Sequence, residues 1–173
     1  AACAKISEGG RKFEFLSYIG PEPPGFTIMP ASYRRKDGDI VAVLREEDRF
    51  DNPNRGARLT QYISGDFGKT WEFDKYIAEF KHSTPPAMKM SVDGILYLAY
   101  GYRDEPCGVR FRYSEDEGRT WSKDFILRDD GGNFDLGYTR ITAMPDGSML
   151  TAYYYNNHKN GGRYIASTRF KIY

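Results

Sequence analysis

Three short stretches concentrate side chains able to grip or transform a substrate. Residues 45–48 read REED, 102–105 read YRDE and 135–140 read DLGYTR. Each sets an arginine (Arg45, Arg103, Arg140) near carboxylates: Glu46, Glu47 and Asp48, then Asp104 and Glu105, then Asp135. Tyr102 and Tyr138 add phenols, and Arg110 and His82 stand in the surrounding sequence. A guanidinium fork can bond both oxygens of a carboxylate. Carboxylates, imidazoles and phenols beside it are the groups of acid–base and nucleophilic chemistry. Plainer duties fit the same residues. An arginine at a strand end pairs with a neighbouring acid, REED reads as a charged loop, and His82, followed by Ser83, Thr84 and two prolines, reads as a cap. Tyr102 and Tyr138 read as packing between sheets.

A second pattern recurs outside these stretches. SGDFGKTW (64–71) returns as SEDEGRTW (114–121), and a worn copy, ISEGGRKF, occupies 6–13. The shared letters suit a tight turn. Asp66 or Asp116 can accept bonds from backbone N–H groups within its own turn. Gly68 or Gly118 supplies a positive φ. Ser64 or Ser114 and Thr70 or Thr120 close the local network, and Trp71 or Trp121 opens the next strand with a large ring to bury. These residues are expected to build scaffold rather than catalyse.

The elements that must position both patterns are strands. Runs such as DIVAVLR (39–45), ARLTQYIS (57–64), ILYLAYGY (95–102), VRFRYS (109–114) and SMLTAYYY (148–155) are separated by Asp-Gly, Gly-Gly and Pro signals. No long segment carries a clean helical period. Three segments, from Thr27, Ser83 and Thr139, each read as a short strand, an Asp-Gly turn and an apolar strand. Aligned on their starts, they match Ile28 with Thr84 and Arg140. A third strand, the octapeptide and a fourth strand follow the first two. Four strands repeating at about 50 residues mark a propeller blade.

The 173 residues carry 25 basic and 24 acidic side chains, so charge gives no argument for nucleic acid or an anionic membrane as partner. No apolar run approaches a spanning helix, and none reads as a signal peptide. Cys3 and Cys107 are too few for a disulfide framework and lack metal-site spacing. Neither metal nor cofactor is expected.

The octapeptide S-x-D-x-G-x-T-W resembles the Asp-box, or BNR repeat, of sialidase-like (neuraminidase) six-bladed β-propellers. IMPASYRRKDGDIVAVLRE (28–46), HSTPPAMKMSVDG (82–94), YGYRDEPCGVRFRYSEDEGRTW (100–121) and residues 126–156 extend the resemblance over nearly the whole chain. RYIASTRF (163–170) resembles that family's last strand, so the chain looks like a C-terminal half. The resemblance implies an all-β fold with an outer strand within 1–20, blades at 26–80 and 82–128, and the inner strands of a further blade at 136–172. Six blades then require either further blades upstream or a homodimer that closes the ring by exchanging end strands. An extracellular or periplasmic location follows if the chain behaves as the family does.

The resemblance also implies a glycoside hydrolase that binds carbohydrate on the face holding the inner-strand starts and loops 45–57, 100–109 and 155–162. Arg45, Arg103, Arg110 and Arg140 would hold substrate there, with His82, Tyr102 and Asp135. Asp48, Glu46, Asp104, Glu105 and Tyr138 are the candidates for catalysis, since such enzymes use a Glu-activated Tyr and an Asp acid–base. YTRITA (138–143) resembles the family's Arg-Ile-Pro, with Thr142 in place of Pro. The competing class is a non-catalytic propeller module binding glycans or proteins, or an inactive fragment.

Overall fold

A computed structural model of the chain describes residues 1–21, 26–48, 56–82, 84–157 and 161–172. Among these the chain is all β, apart from one 3₁₀ turn at Glu8–Gly10. Among the described residues no helix is long and apolar enough to cross a membrane. Strands β1 (Ala2–Ser7) and β2 (Lys12–Tyr18) form a hairpin. A four-stranded antiparallel sheet follows, β3 (Phe26–Arg34), β4 (Ile40–Glu47), β5 (Ala57–Ser64) and β6 (Glu72–Phe80). Strands β7 (Ala87–Met90), β8 (Leu96–Tyr102), β9 (Gly108–Ser114) and β10 (Phe125–Arg128) form a second. Strands β11 (Gly137–Ala143), β12 (Met149–Tyr155) and β13 (Tyr164–Phe170) form a three-stranded sheet.

The N-terminal piece has two strands where the sequence predicts one outer strand. The missed strand, ACAKIS, is built largely of small residues and lacks the β-branched run that marks a strand. The worn octapeptide forms its turn to β2, with Glu8, Gly9 and Gly10 at φ 53°, 65° and 90°.

The core lies between sheets rather than within them. Strand β4 is buried on both faces. Val41 and Val43 meet Leu98 and Tyr100 of β8, while Ala42 and Leu44 meet Ile19 beside the hairpin. Between the last two sheets, Tyr97 and Phe111 pack with Met149, and Val109 with Tyr153 and Tyr155. A strand sandwiched in this way reads as a continuous apolar run, as IVAVL does.

The two full octapeptides fold alike. Ser64 Oγ donates to Asp66 Oδ1 at 2.9 Å and accepts the Gly68 N–H at 2.8 Å. Asp66 also takes the Thr70 N–H at 2.9 Å and the Thr70 hydroxyl at 2.7 Å. Ser114, Asp116, Gly118 and Thr120 repeat the pattern at 2.7, 2.7, 2.8 and 2.6 Å. Gly68 and Gly118 both have φ 84°. Each tryptophan reaches back to the preceding sheet: Trp71 Nε1 donates to Ser17 Oγ at 3.1 Å and Trp121 Nε1 to Gln61 Oε1 at 2.8 Å. The third sheet breaks the pattern. By register, Phe170 pairs with Met149 as Ser114 pairs with Leu96 and Ser64 with Ile40, so an aromatic stands where the octapeptides begin. Its ring packs on Phe111, 4.5 Å between centroids.

These turns carry an acid signature. Bonds from the Thr70 backbone, then its hydroxyl, hold Asp66 at about 2. For Asp116 partial burial pushes upward, but bonds from Thr120 and Ser114 outweigh it and the carboxyl again settles at about 2. A carboxyl depressed on folding adds stability above its unfolded value of about 3.9, and that contribution disappears as pH falls through the folded value. The melting temperature is expected to drop between about pH 4 and pH 2. Asp116→Ala should cost about 1–3 kcal/mol at neutral pH through lost hydrogen bonds and flatten that acid slope. An unchanged slope in thermal melts would contradict the assignment.

Candidate functional site

Inner strands β3, β7 and β11 lie side by side and border a cleft of about 420 Å³. Its walls are Met29, Pro30 and Ala31 from the first, Pro85–Met88 from the second, and Tyr138, Arg140 and Ile141 from the third. Register shows why these residues meet. Ala31 pairs with Val43, Ala87 with Ala99 and Arg140 with Ala152. Each of the three stands seven residues before the glycine of its Asp-Gly turn, Gly38, Gly94 or Gly147. The equivalents of Arg140 are therefore Ala31 and Ala87, not Ile28 and Thr84 as the start-anchored alignment has it. That alignment fails because the third segment reaches its turn three residues sooner.

Two bulges aim side chains into this cleft. The ladder β3–β4 slips between Ile28 and Ala31, and β11–β12 slips at the matching place, between Gly137 and Arg140. Met29 and Tyr138 occupy the slips at φ 55° and 51°. A bulge re-aims the side chain it carries, and both residues line the cleft. A non-glycine held at positive φ stores backbone strain that the surrounding fold must sustain.

Arg140 is exposed, and its Nη1 donates to the carbonyl of adjacent Thr139 at 2.9 Å. Among the described residues no carboxylate pairs with it. Asp135, its neighbour in sequence, instead takes Arg163 at 2.6 Å and the Tyr154 hydroxyl at 2.8 Å, and the latter bond leads in holding its carboxyl below the usual range. Arg103 spans the wall behind. It donates to Leu136 O at 3.1 Å and to the Tyr154 hydroxyl at 2.9 Å, and lies 5.8 Å from the centroid of the Tyr138 ring. Tyr138 packs against Tyr154 at 5.8 Å. Arg103, Tyr138, Asp135 and Arg140 thus come together, joined by Tyr154 and Arg163, which sequence reasoning passed over. Anchoring the repeats on their Asp-Gly turns sets Tyr154 opposite Tyr138, and the bulge then moves it one residue, to Gly137.

Other candidates are spent elsewhere. Arg110 is 5% exposed, donates to the carbonyls of Arg128 at 2.6 Å and Pro106 at 3.3 Å, and lies over the Tyr102 ring at 4.5 Å. The guanidinium is thus enclosed by protein, and the structure does not bring Arg110 or Tyr102 to the cleft. Glu46 accepts the Tyr62 hydroxyl at 3.2 Å and lies 3.7 Å from Arg58. Asp48 pairs with Arg58 and accepts the Gly56 N–H at 2.8 Å. Arg45 bonds Glu47 at 2.5 Å and lies over Phe26. Asp104 caps the backbone, taking the N–H of Lys81 at 2.9 Å and of His82 at 3.3 Å. Glu105 stands 3.7 Å from the Cys107 thiol, which burial above all pushes upward. None of Glu46, Asp48, Asp104 or Glu105 lines the cleft, so the geometry does not bring them to it as catalytic acids. Loop residues 49–55 and 158–160, assigned to the ligand face from sequence, lie outside the described residues.

No family model matches the chain, and no curated protein matches it. Solved structures do. A protein of unknown function from Dyadobacter fermentans DSM 18053 superposes with a TM-score of 0.77 at 26% identity, over 97% of this chain and 44% of that one. An α-L-arabinanase of Penicillium chrysogenum complexed with arabinobiose gives 0.70 at 16%, over 95% and 53%. A GH93 α-L-arabinofuranosidase of Fusarium graminearum, also with arabinobiose, gives 0.66 at 18%, over 96% and 52%. The chain spans about half the length of these structures. At such identities the likeness shows the fold: the sheets are blades of a β-propeller, the architecture of these glycoside hydrolases.

Proposed function

We propose that the inner-strand cleft binds carbohydrate and that the chain belongs functionally with glycoside hydrolases built on propellers. One observation carries the reading. An exposed guanidinium free of any described acid, Arg140, and a strained phenol, Tyr138, face a cleft whose other walls are small or apolar. Ligand sites are concave, mostly apolar, and specific through a few convergent polar groups. The solved likenesses that hold arabinobiose add support by analogy of fold. In the finer reading the reaction is sialidase-like. Arg140 would take a sugar carboxylate, and Tyr138 would sit beside the reacting carbon under the field of Arg103.

A second reading has its own observation. No Asp or Glu is among the residues bordering the cleft, and hydrolysis needs an acid–base group there. This favours a chain that binds sugar without cleaving it by itself. A second copy of the chain, or further blades, would supply the opposite wall and its carboxylates. Titration calorimetry with arabinobiose and with sialyllactose, run beside an assay for released monosaccharide, separates the readings. Binding with release supports the hydrolase, binding without release supports the module, and absence of both contradicts the proposal.

A further inference from the structure

Phe134 is an exposed aromatic on the loop that leads into β11, and neither composition nor the octapeptides single it out. It is 60% exposed. The His82 ring stacks against it, 6.1 Å between centroids and 24° between planes. The remainder of the Phe134 ring meets solvent. Scattered exposed aromatics are ordinary on protein surfaces. This one differs in how firmly its loop is held. The Gly131 N–H bonds Cys107 O at 2.9 Å and the Gly132 N–H bonds Asn156 O at 3.1 Å. Asn156, 2% exposed, donates to Asp135 O at 2.6 Å, and the Asp135 N–H bonds Asn133 Oδ1 at 2.9 Å. The loop has no room to swell, because a Cβ on Gly131 would stand 2.5 Å from Leu136 and 2.8 Å from Cys107 O.

The other half of the pair is held as well. Asp104 takes the backbone N–H groups of Lys81 and His82, and its Oδ1 lies 3.5 Å from His82 Nδ1. Adjacent residues therefore serve adjacent places. Arg103 lies over Tyr138 in the cleft, and Asp104 fixes His82 against Phe134. Phe134 and Tyr138 are four residues apart, so their Cα atoms are separated by at most about 14 Å. A short oligosaccharide bridges such a gap.

We propose that Phe134, backed by His82, is a stacking platform for the third ring of an oligosaccharide, forming an outer subsite beyond the Tyr138–Arg140 cleft. The proposal rests on the carbohydrate reading of that cleft. A pyranose or furanose ring offers an apolar C–H face to an aromatic ring and hydroxyls at its rim. The neighbouring acceptors and donor, Asp104, Asp135 and Arg163, suit the hydroxyls. An aromatic ring on a rigid loop gives up little conformational freedom on binding. Sequence on the same loop thus sets preference for chain length, while the cleft sets which terminal sugar is taken.

The test is calorimetric titration of the full chain with arabino-oligosaccharides of two, three and four units. Wild type is expected to bind the longer ligands about fivefold more tightly than the dimer, a gain in the range of one aromatic contact. Phe134→Ala should erase that gain and leave dimer affinity within about twofold, and Phe134→Tyr should retain it. Thermal melts should show both variants folded, since the side chain is mostly exposed. Three results would overturn the platform alone: a gain that survives Phe134→Ala, equal losses at every length, or no gain in wild type while the dimer still binds. Failure of wild type to bind any of the three would overturn the platform and the carbohydrate reading together.

Discussion

Replacing Arg140 with alanine is expected to weaken carbohydrate binding about 10- to 100-fold, the worth of a charged hydrogen-bonding group at a ligand. The same change should move the melting temperature by no more than a few degrees. Both halves of this expectation follow from one geometry. The guanidinium is exposed in the cleft, and among the described residues it bonds the carbonyl of adjacent Thr139 and no carboxylate, so its removal breaks no ion pair. Arg140→Lys sharpens the result. Lysine keeps the charge and loses the fork, so it should recover part of the affinity for a carboxylated sugar and less for a neutral one. A large loss of stability with unchanged binding would make Arg140 a structural residue.

Trp121→Ala should be the most damaging single truncation outside the cleft, at about 3–4 kcal/mol. Its ring packs on the cluster of Val41, Val43, Leu59 and Ile77 with Leu98 and Tyr100, at the contact of two blades. The cost has two parts that a second variant separates. Gln61 is fully buried and uses every polar atom of its amide. It donates to Asp74 at 2.6 Å and to Gly118 O at 2.7 Å, and it accepts from Trp121 at 2.8 Å. Trp121→Phe keeps much of the packing and orphans the Gln61 carbonyl, for about 1–3 kcal/mol. Denaturant melts should rank alanine below phenylalanine below wild type. If phenylalanine matched wild type, the interblade hydrogen bond would contribute nothing.

The sequence carried the fold further than the site, for physical reasons visible in particular residues. Strands such as IVAVL are buried on both faces and announce themselves by composition, and the Asp-Gly turns announce their own ends. Octapeptide contacts are local in sequence, Ser64 to Asp66 to Thr70, so their residue types reveal their bonds. Strand ACAKIS has no such signal and is made a strand by its partner. Pairings across strands are equally silent. Nothing near Asp48 announces Arg58, and nothing near Arg110 announces the carbonyl of Arg128 that claims it. The start-anchored alignment of the inner strands failed for a related reason: turns fix register, and Thr139 stands three residues nearer its turn glycine than Thr27 and Ser83 stand to theirs.

The central claim is that sugar binds where the three inner strands meet. A crystal structure of the chain with arabinobiose, or with sialyllactose if that binds more tightly, tests it most directly. The account predicts a sugar in the cleft with an oxygen within hydrogen-bonding distance of the Arg140 guanidinium and a ring edge against Tyr138. Sugar bound at another surface, with the Arg140 cleft holding only solvent, would contradict it.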